Sequence, residues 1–200
     1  KEKDEAIFNR AKNIAKEHNL EFKINISKKY IELSEPTIDD NISDVDRLER
    51  YVRNNLGYDE IEFRLDILRK IPKVLRENNF KVTLTYIKKK NKLTIINIEP
   101  GDTGESLYGI AIDIGTTSVV VCLVDLIKKE LIDKASSGNA QIQYGADVIN
   151  RIVYATKKNG LDVLHKSIIN ETINPLLHNL YKRNNINKDD VINVVAAGNT

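Results

Sequence analysis

The chain has 200 residues, with 31 Lys and Arg against 29 Asp and Glu, and a formal net charge of +2. That balance excludes a general nucleic-acid binder, which carries a marked basic excess or a basic run. Hydrophobic residues make up 41% of the chain and charged residues 30%. These are globular proportions, and no apolar run nears the ~18–20 residues that span a bilayer. A single cysteine, Cys122, excludes an internal disulfide and any four-cysteine metal or iron–sulfur site within the chain. The opening Lys-Glu-Lys-Asp-Glu leads into no signal-peptide core, and with the cysteine economy this points to a cytoplasmic protein. The chain has no methionine, starts at Lys1 and stops just after a glycine, which suggests a piece of a larger protein cut at both ends.

In chain order, residues 1–20 read as a polar helix with a thin stripe of Ile7, Ala11, Ile14 and Ala15. We take residues 1–27 as a linker or helix and residues 28–101 as a small α+β domain. Tyr30 to Leu33 alternate as a short strand ended by Ser-Glu-Pro. Ser43 is a good N-cap, with Asp44 and Asp46 in the first turn, Val45, Leu48, Val52 and Leu56 at helical spacing, and Gly57 as the stop. Asp66 is expected to cap a second helix that Pro72 breaks or kinks, or at which Pro72 begins a new turn. Residues 80–87 and 93–98 alternate as two strands, joined by the lysine-rich turn 88–92, whose charges read as solvated. Residues 99–106, Glu-Pro-Gly-Asp-Thr-Gly-Glu-Ser, carry the strongest linker signal. They are expected to extend neither neighbouring strand and to hold the domain boundary.

A second domain is expected over residues 107–200. Residues 108–114, Tyr-Gly-Ile-Ala-Ile-Asp-Ile, are apolar but for Asp113, and 119–126 form another buried strand. Residues 130–135 make a third strand, 147–155 and 161–180 read as helices, and 191–196 close with a strand that delivers Gly198, Asn199 and Thr200 to its end. Cys122 reads as a buried core thiol. His18, His165 and His178 lack metal-ligand spacing and read as solvated. Tyr144-Gly145 followed by Asp147 reads equally well as a functional turn into a helix or as a plain cap by Asp147.

Asp113 is the first candidate for chemistry. A lone carboxylate in an apolar strand must pair, hold something, or emerge at the strand end. Alternation sets Ile110, Ile112 and Ile114 on one face and Ala111 and Asp113 on the other. Gly115 then permits a tight turn, and Thr116, Thr117 and Ser118 supply three hydroxyls beside backbone N–H donors. That chemistry suits phosphate oxygens, with Asp113 placed to hold Mg²⁺ through water. On spacing alone, a plain hairpin with a threonine-rich turn is an equally good reading.

The run Tyr-Gly-Ile-Ala-Ile-Asp-Ile-Gly-Thr-Thr-Ser-Val-Val-Val from residue 108 resembles the first phosphate hairpin of the acetate and sugar kinase, Hsp70 and actin (ASKHA) superfamily. Glu99-Pro-Gly-Asp, Asn139-Ala-Gln-Ile-Gln-Tyr-Gly-Ala-Asp-Val-Ile and Ala197-Gly-Asn-Thr narrow the resemblance to the reductive activators of corrinoid proteins. It covers roughly residues 28–200, with 28–101 similar to the middle domain of that family. The resemblance implies a partial α/β ribonuclease-H-like domain over residues 107–200. It further implies ATP and Mg²⁺ held by Asp113, Gly115, Thr116, Thr117 and Ser118, with Gly198, Asn199 and Thr200 beside the phosphates and Asp113 as the catalytic acid. The larger protein would be an ATP-hydrolysing enzyme that returns a Co(II) corrinoid protein of a methyltransferase system to Co(I). Its electrons would come through a [2Fe–2S] ferredoxin-like domain absent from these residues, so this stretch alone would be inactive. A homodimer stays open; nucleic acid and membrane are not implied. Ala140, Gln143, Ala146 and Ser118 depart from the family pattern, which usually has Pro, Arg, Glu and Thr there. Two other classes stay open: a small-molecule phosphotransferase of the same superfamily and a non-catalytic interaction module.

Overall fold

The computed structural model describes residues 25–198; the expected N-terminal helix lies outside the described residues. The chain divides into two compact units, one ending at Glu105 and the other resuming at Ser106.

The first unit is an α+β sandwich. Its strands are β1 (Ile26–Glu32), β2 (Glu60–Phe63), β3 (Lys81–Lys89) and β4 (Lys92–Pro100), and its helices α1 (Asp44–Leu56) and α2 (Leu65–Glu77). The sheet order is β1-β3-β4-β2, antiparallel except for the β2–β4 pair. Helix α1 begins as the sequence predicts: Ser43 Oγ accepts from the Asp46 N–H at 3.1 Å, and Gly57 ends the helix at φ 71°. Helix α2 departs from expectation. It starts at Leu65 with no side-chain cap, and Asp66 instead pairs with Arg64 at 3.0 Å. Pro72 sits inside the helix without ending it. The inner stripe of Ile67, Ile71 and Leu75 is fully buried. At ~1.5–3 kcal/mol per buried side chain, that stripe outweighs the ~3 kcal/mol of an interior proline.

Strand β2 was not predicted. It is four residues long, half exposed, and held at the edge by β4. The 99–106 segment also differs from expectation, because β4 runs on through Glu99 and Pro100. Proline at the last position of a strand forfeits little, since the ladder ends there. Beyond it, the Thr83 hydroxyl donates to Gly101 O at 2.7 Å and accepts from the Thr103 N–H at 2.9 Å.

The second unit holds β5 (Tyr108–Ile114), β6 (Ser118–Asp125), β7 (Glu130–Gly138), α3 (Val148–Ala155), α4 (Gly160–Lys166), a π-helical segment (Ser167–Ile173), α5 (Asn174–Asn184) and β8 (Val191–Gly198). The expected helix over 161–180 is therefore continuous but wound wider in its middle. Strands β5, β6 and β7 form an antiparallel meander, and β8 adds parallel to β5 on its other side, giving the order β7-β6-β5-β8. This is a partial ribonuclease-H-like sheet, an α/β unit after the α+β one. Its helix-facing side buries Ile110, Ile112, Val119, Val121 and Leu123 against Ile168, Ile173, Leu176 and Leu180. Cys122 is not a core thiol: the strand period turns it to the other face, where it is only half-buried.

Candidate functional site

The site grows from one end of the second sheet. Strands β5 and β8 are parallel, so both bring their C-terminal ends there, with Gly198 opposite Ile114. Asp113 pairs with Val120 on one side and Ala197 on the other. Its side chain belongs to the face opposite the helices and is exposed, as the alternation predicts. Residues 115–117 then turn the chain into β6. The Gly115 N–H donates to Ser118 O at 2.9 Å. A Cβ at Gly115 would stand 2.7 Å from that oxygen, so only glycine closes the turn this tightly.

The structure thus brings Asp113, Gly115, Thr116, Thr117, Ser118 and Gly198 to one sheet end. Asn199 and Thr200 lie outside the described residues. His165 and His178 are exposed on helices.

The loop is held from behind by residues that motif reading did not select as site residues. Asn139, almost fully buried, donates from Nδ2 to Gly115 O at 2.9 Å and from its backbone N–H to Thr117 O at 2.8 Å. Its Oδ1 accepts from the Gln141 N–H at 2.9 Å. Arg151, on α3, donates from Nη2 to Thr116 O at 2.5 Å, from Nε to Gly145 O at 2.9 Å and from Nη1 to Gln141 Oε1 at 3.3 Å. Gly145 permits this approach, since a Cβ there would meet Arg151 N at 2.7 Å. Asp147 caps α3 through the Asn150 N–H at 2.8 Å, the capping alternative of the two.

One departure from the family pattern has its own structural partner. Where proline is usual, the Ala140 N–H donates to Thr172 Oγ1 at 3.1 Å. Thr172 is presented by the π-helical segment, and its hydroxyl donates in turn to Ser167 O at 3.3 Å.

The donor set fits a phosphate with a water-bridged Mg²⁺. It offers hydroxyls, glycine-tight backbone and one exposed carboxylate, the ligation Mg²⁺ favours when it keeps most of its waters. Among the described residues no group of three or more His, Cys, Asp or Glu converges on one point. A [2Fe–2S] cluster does not fit this chain, which has one cysteine where four thiolates are the usual set.

Known proteins match both units. A family model described as the RACo linker region matches residues 15–105, and one described as the RACo middle region matches residues 108–200. The part expected to be a middle domain is thus the linker region in that description, and the ribonuclease-H-like part the middle region. The corrinoid activation enzyme RamQ of Eubacterium limosum is 40% identical over 109 residues, 53% of this chain and 18% of that protein. A solved reductive activator for corrinoid, iron-sulfur protein is 32% identical with a TM-score of 0.72, over 90% of this chain and 28% of the solved one. Together the two models take in nearly the whole sequence, which is similar in order to the RACo linker and middle regions. The chain spans under a third of the length of either relative. No helix among the described residues is long and apolar enough to cross a membrane.

Proposed function

We propose that this chain is part of an ATP-dependent reductive activator that returns a Co(II) corrinoid protein to the Co(I) state. One observation carries the nucleotide half of this reading: the exposed carboxylate of Asp113 shares a sheet end with the glycine-closed turn, its hydroxyl residues and Gly198. The corrinoid half rests on the two family models and on the names of the two relatives.

Asp113 orders water on Mg²⁺, and residues 115–118 bind the phosphates. Mg²⁺, when bound, neutralises charge on the phosphate oxygens. The reduction itself adds one electron to Co(II). The donor we assign is a [2Fe–2S] domain outside these residues. Nucleotide contributes by preferring one conformation of the activator–corrinoid complex, which shifts its population by the differential affinity. The working setting we assign is the cytoplasm, with a corrinoid protein of a methyltransferase system as partner.

The full-length protein, its corrinoid partner and a one-electron reductant test this directly. The visible spectrum should pass from Co(II) to Co(I) only with Mg-ATP present. Equal rate and extent without nucleotide would sink the ATP coupling.

A further inference from the structure

Helix α3 is built inside out. Its one buried residue is Arg151, 9% exposed, while Ile149 on the same helix is 74% exposed and Ile152 and Val153 are also open. Hydrophobic burial alone would rotate the helix the other way. A buried guanidinium is costly unless its donors are satisfied and its charge is offset. Here the donors reach three oxygens, yet all three are neutral: Thr116 O, Gly145 O and Gln141 Oε1. No carboxylate among the described residues pairs with it. The positive charge is left directly behind the Thr116 peptide.

The peptide geometry completes the argument. Three consecutive carbonyls, of Gly115, Thr116 and Thr117, are taken up by Asn139 Nδ2, Arg151 Nη2 and the Asn139 N–H. A trans peptide sets each N–H opposite its own C=O. The N–H groups of Thr116, Thr117 and Ser118 are therefore turned away from Asn139 and Arg151. Successive N–H groups fixed in this way, with a cation behind them, make an anion receptor.

We propose that Arg151 and Asn139 are positioning residues that aim the loop N–H groups at the nucleotide phosphates, with Arg151 adding the field of an un-neutralised cation. The proposal rests on the phosphate-binding reading of this loop.

The test uses the full-length protein and two probes, Mg-ATP and adenosine, with affinities read by calorimetry and folding by thermal unfolding. Arg151→Gln should weaken Mg-ATP at least about tenfold, the scale of one charge-assisted hydrogen bond. Adenosine affinity should hold. Asn139→Asp, which sets a carboxylate oxygen against Gly115 O, should do the same. Arg151→Lys keeps the charge but not the fork and should restore part of the loss. Unchanged Mg-ATP affinity in folded Arg151→Gln and Asn139→Asp overturns the proposal, as does an equal loss for adenosine. Arg151→Lys and Asn139→Asp decide the matter if Arg151→Gln does not fold, and loss of fold in all three assigns the pair a structural role instead. If wild-type protein itself binds no Mg-ATP, the phosphate reading fails, which is a separate outcome.

Discussion

The ammonium of Lys28 lies 2.8 Å from a carboxylate oxygen of Glu99, with 1% of the lysine side chain exposed. The same ammonium reaches Thr103 O and Oγ1 at 3.4 Å. The pair thus joins the first strand of its unit to the end of the last, and it does so out of water.

Removing one partner should be far worse than removing both. Glu99→Ala removes a carboxylate 2.8 Å from a buried ammonium, and the expected cost is ~3–5 kcal/mol. Lys28→Met combined with Glu99→Leu leaves apolar groups of similar volume and should recover most of it. Urea unfolding of the three variants measures this. Costs that simply add would show that the two charges do not depend on each other.

Asp113 is exposed at its sheet end, so Asp113→Ala should leave stability within about 0.5 kcal/mol. Affinity for Mg-ATP in the full-length protein should fall at least about tenfold, the scale of a charge-assisted contact. Equal affinities for wild type and variant would remove Asp113 from its assigned role.

The hydrogen bond between the Ala140 N–H and Thr172 Oγ1 can be probed from both ends. Thr172→Val keeps the shape but leaves the amide without its acceptor, for ~1–3 kcal/mol. Ala140→Pro removes the donor. Proline fits there because residue 140 opens a 3-10 turn and Asn139 is extended, at φ −74° and ψ 113°. In the Ala140→Pro background, Thr172→Val should cost less than about 1 kcal/mol. The same cost in both backgrounds would show that the bond contributes nothing.

Asp133 gives a pH signature. Burial pushes its carboxyl up, but donation from Asn184, Arg183 and the Lys134 N–H outweighs it and holds the group below the usual aspartate range. A depressed folded pKa contributes stability above the unfolded value, and that contribution is lost as pH falls through the folded value. The stability gap between wild type and Asp133→Asn should therefore be largest at neutral pH. It should narrow as pH drops below about 4, the ordinary aspartate value. Denaturant midpoints from pH 7 to pH 3 test this, and a gap independent of pH is the contrary result.

Elements with a strong period or a local cap were legible from the sequence. The helix between Ser43 and Gly57, the strands of the first hairpin, the face alternation that exposes Asp113 and the cap at Asp147 all rest on interactions a few residues long. Strand β2 was missed because its four residues owe their form to a partner 32 residues on. That the helix runs on past Pro72 was not legible, because the penalty is local and the compensating stripe of Ile67, Ile71 and Leu75 acts through tertiary packing. The candidate site divides the same way. Its front, Asp113 and the turn, is contiguous. Its back is Arg151, which the sequence presents as an ordinary helical charge among Ile149, Ile152 and Val153. The available hint was that this short helix follows a strong cap at Asp147 and Gly145, which fixes its first turn whatever its apolar side faces.

The parallel pairing of β5 with β8 sets an order in time as well as in space. Tyr108 and its partner Val191 leave the ribosome on the order of ten seconds apart at usual rates of synthesis. Until β8 emerges, the central strand of the sheet has one neighbour, and its other edge is open. The helices between them are made in that interval, so the apolar face has its cover before its last strand. The open edge of β5 is then the stretch for which a nascent chain would most need a chaperone.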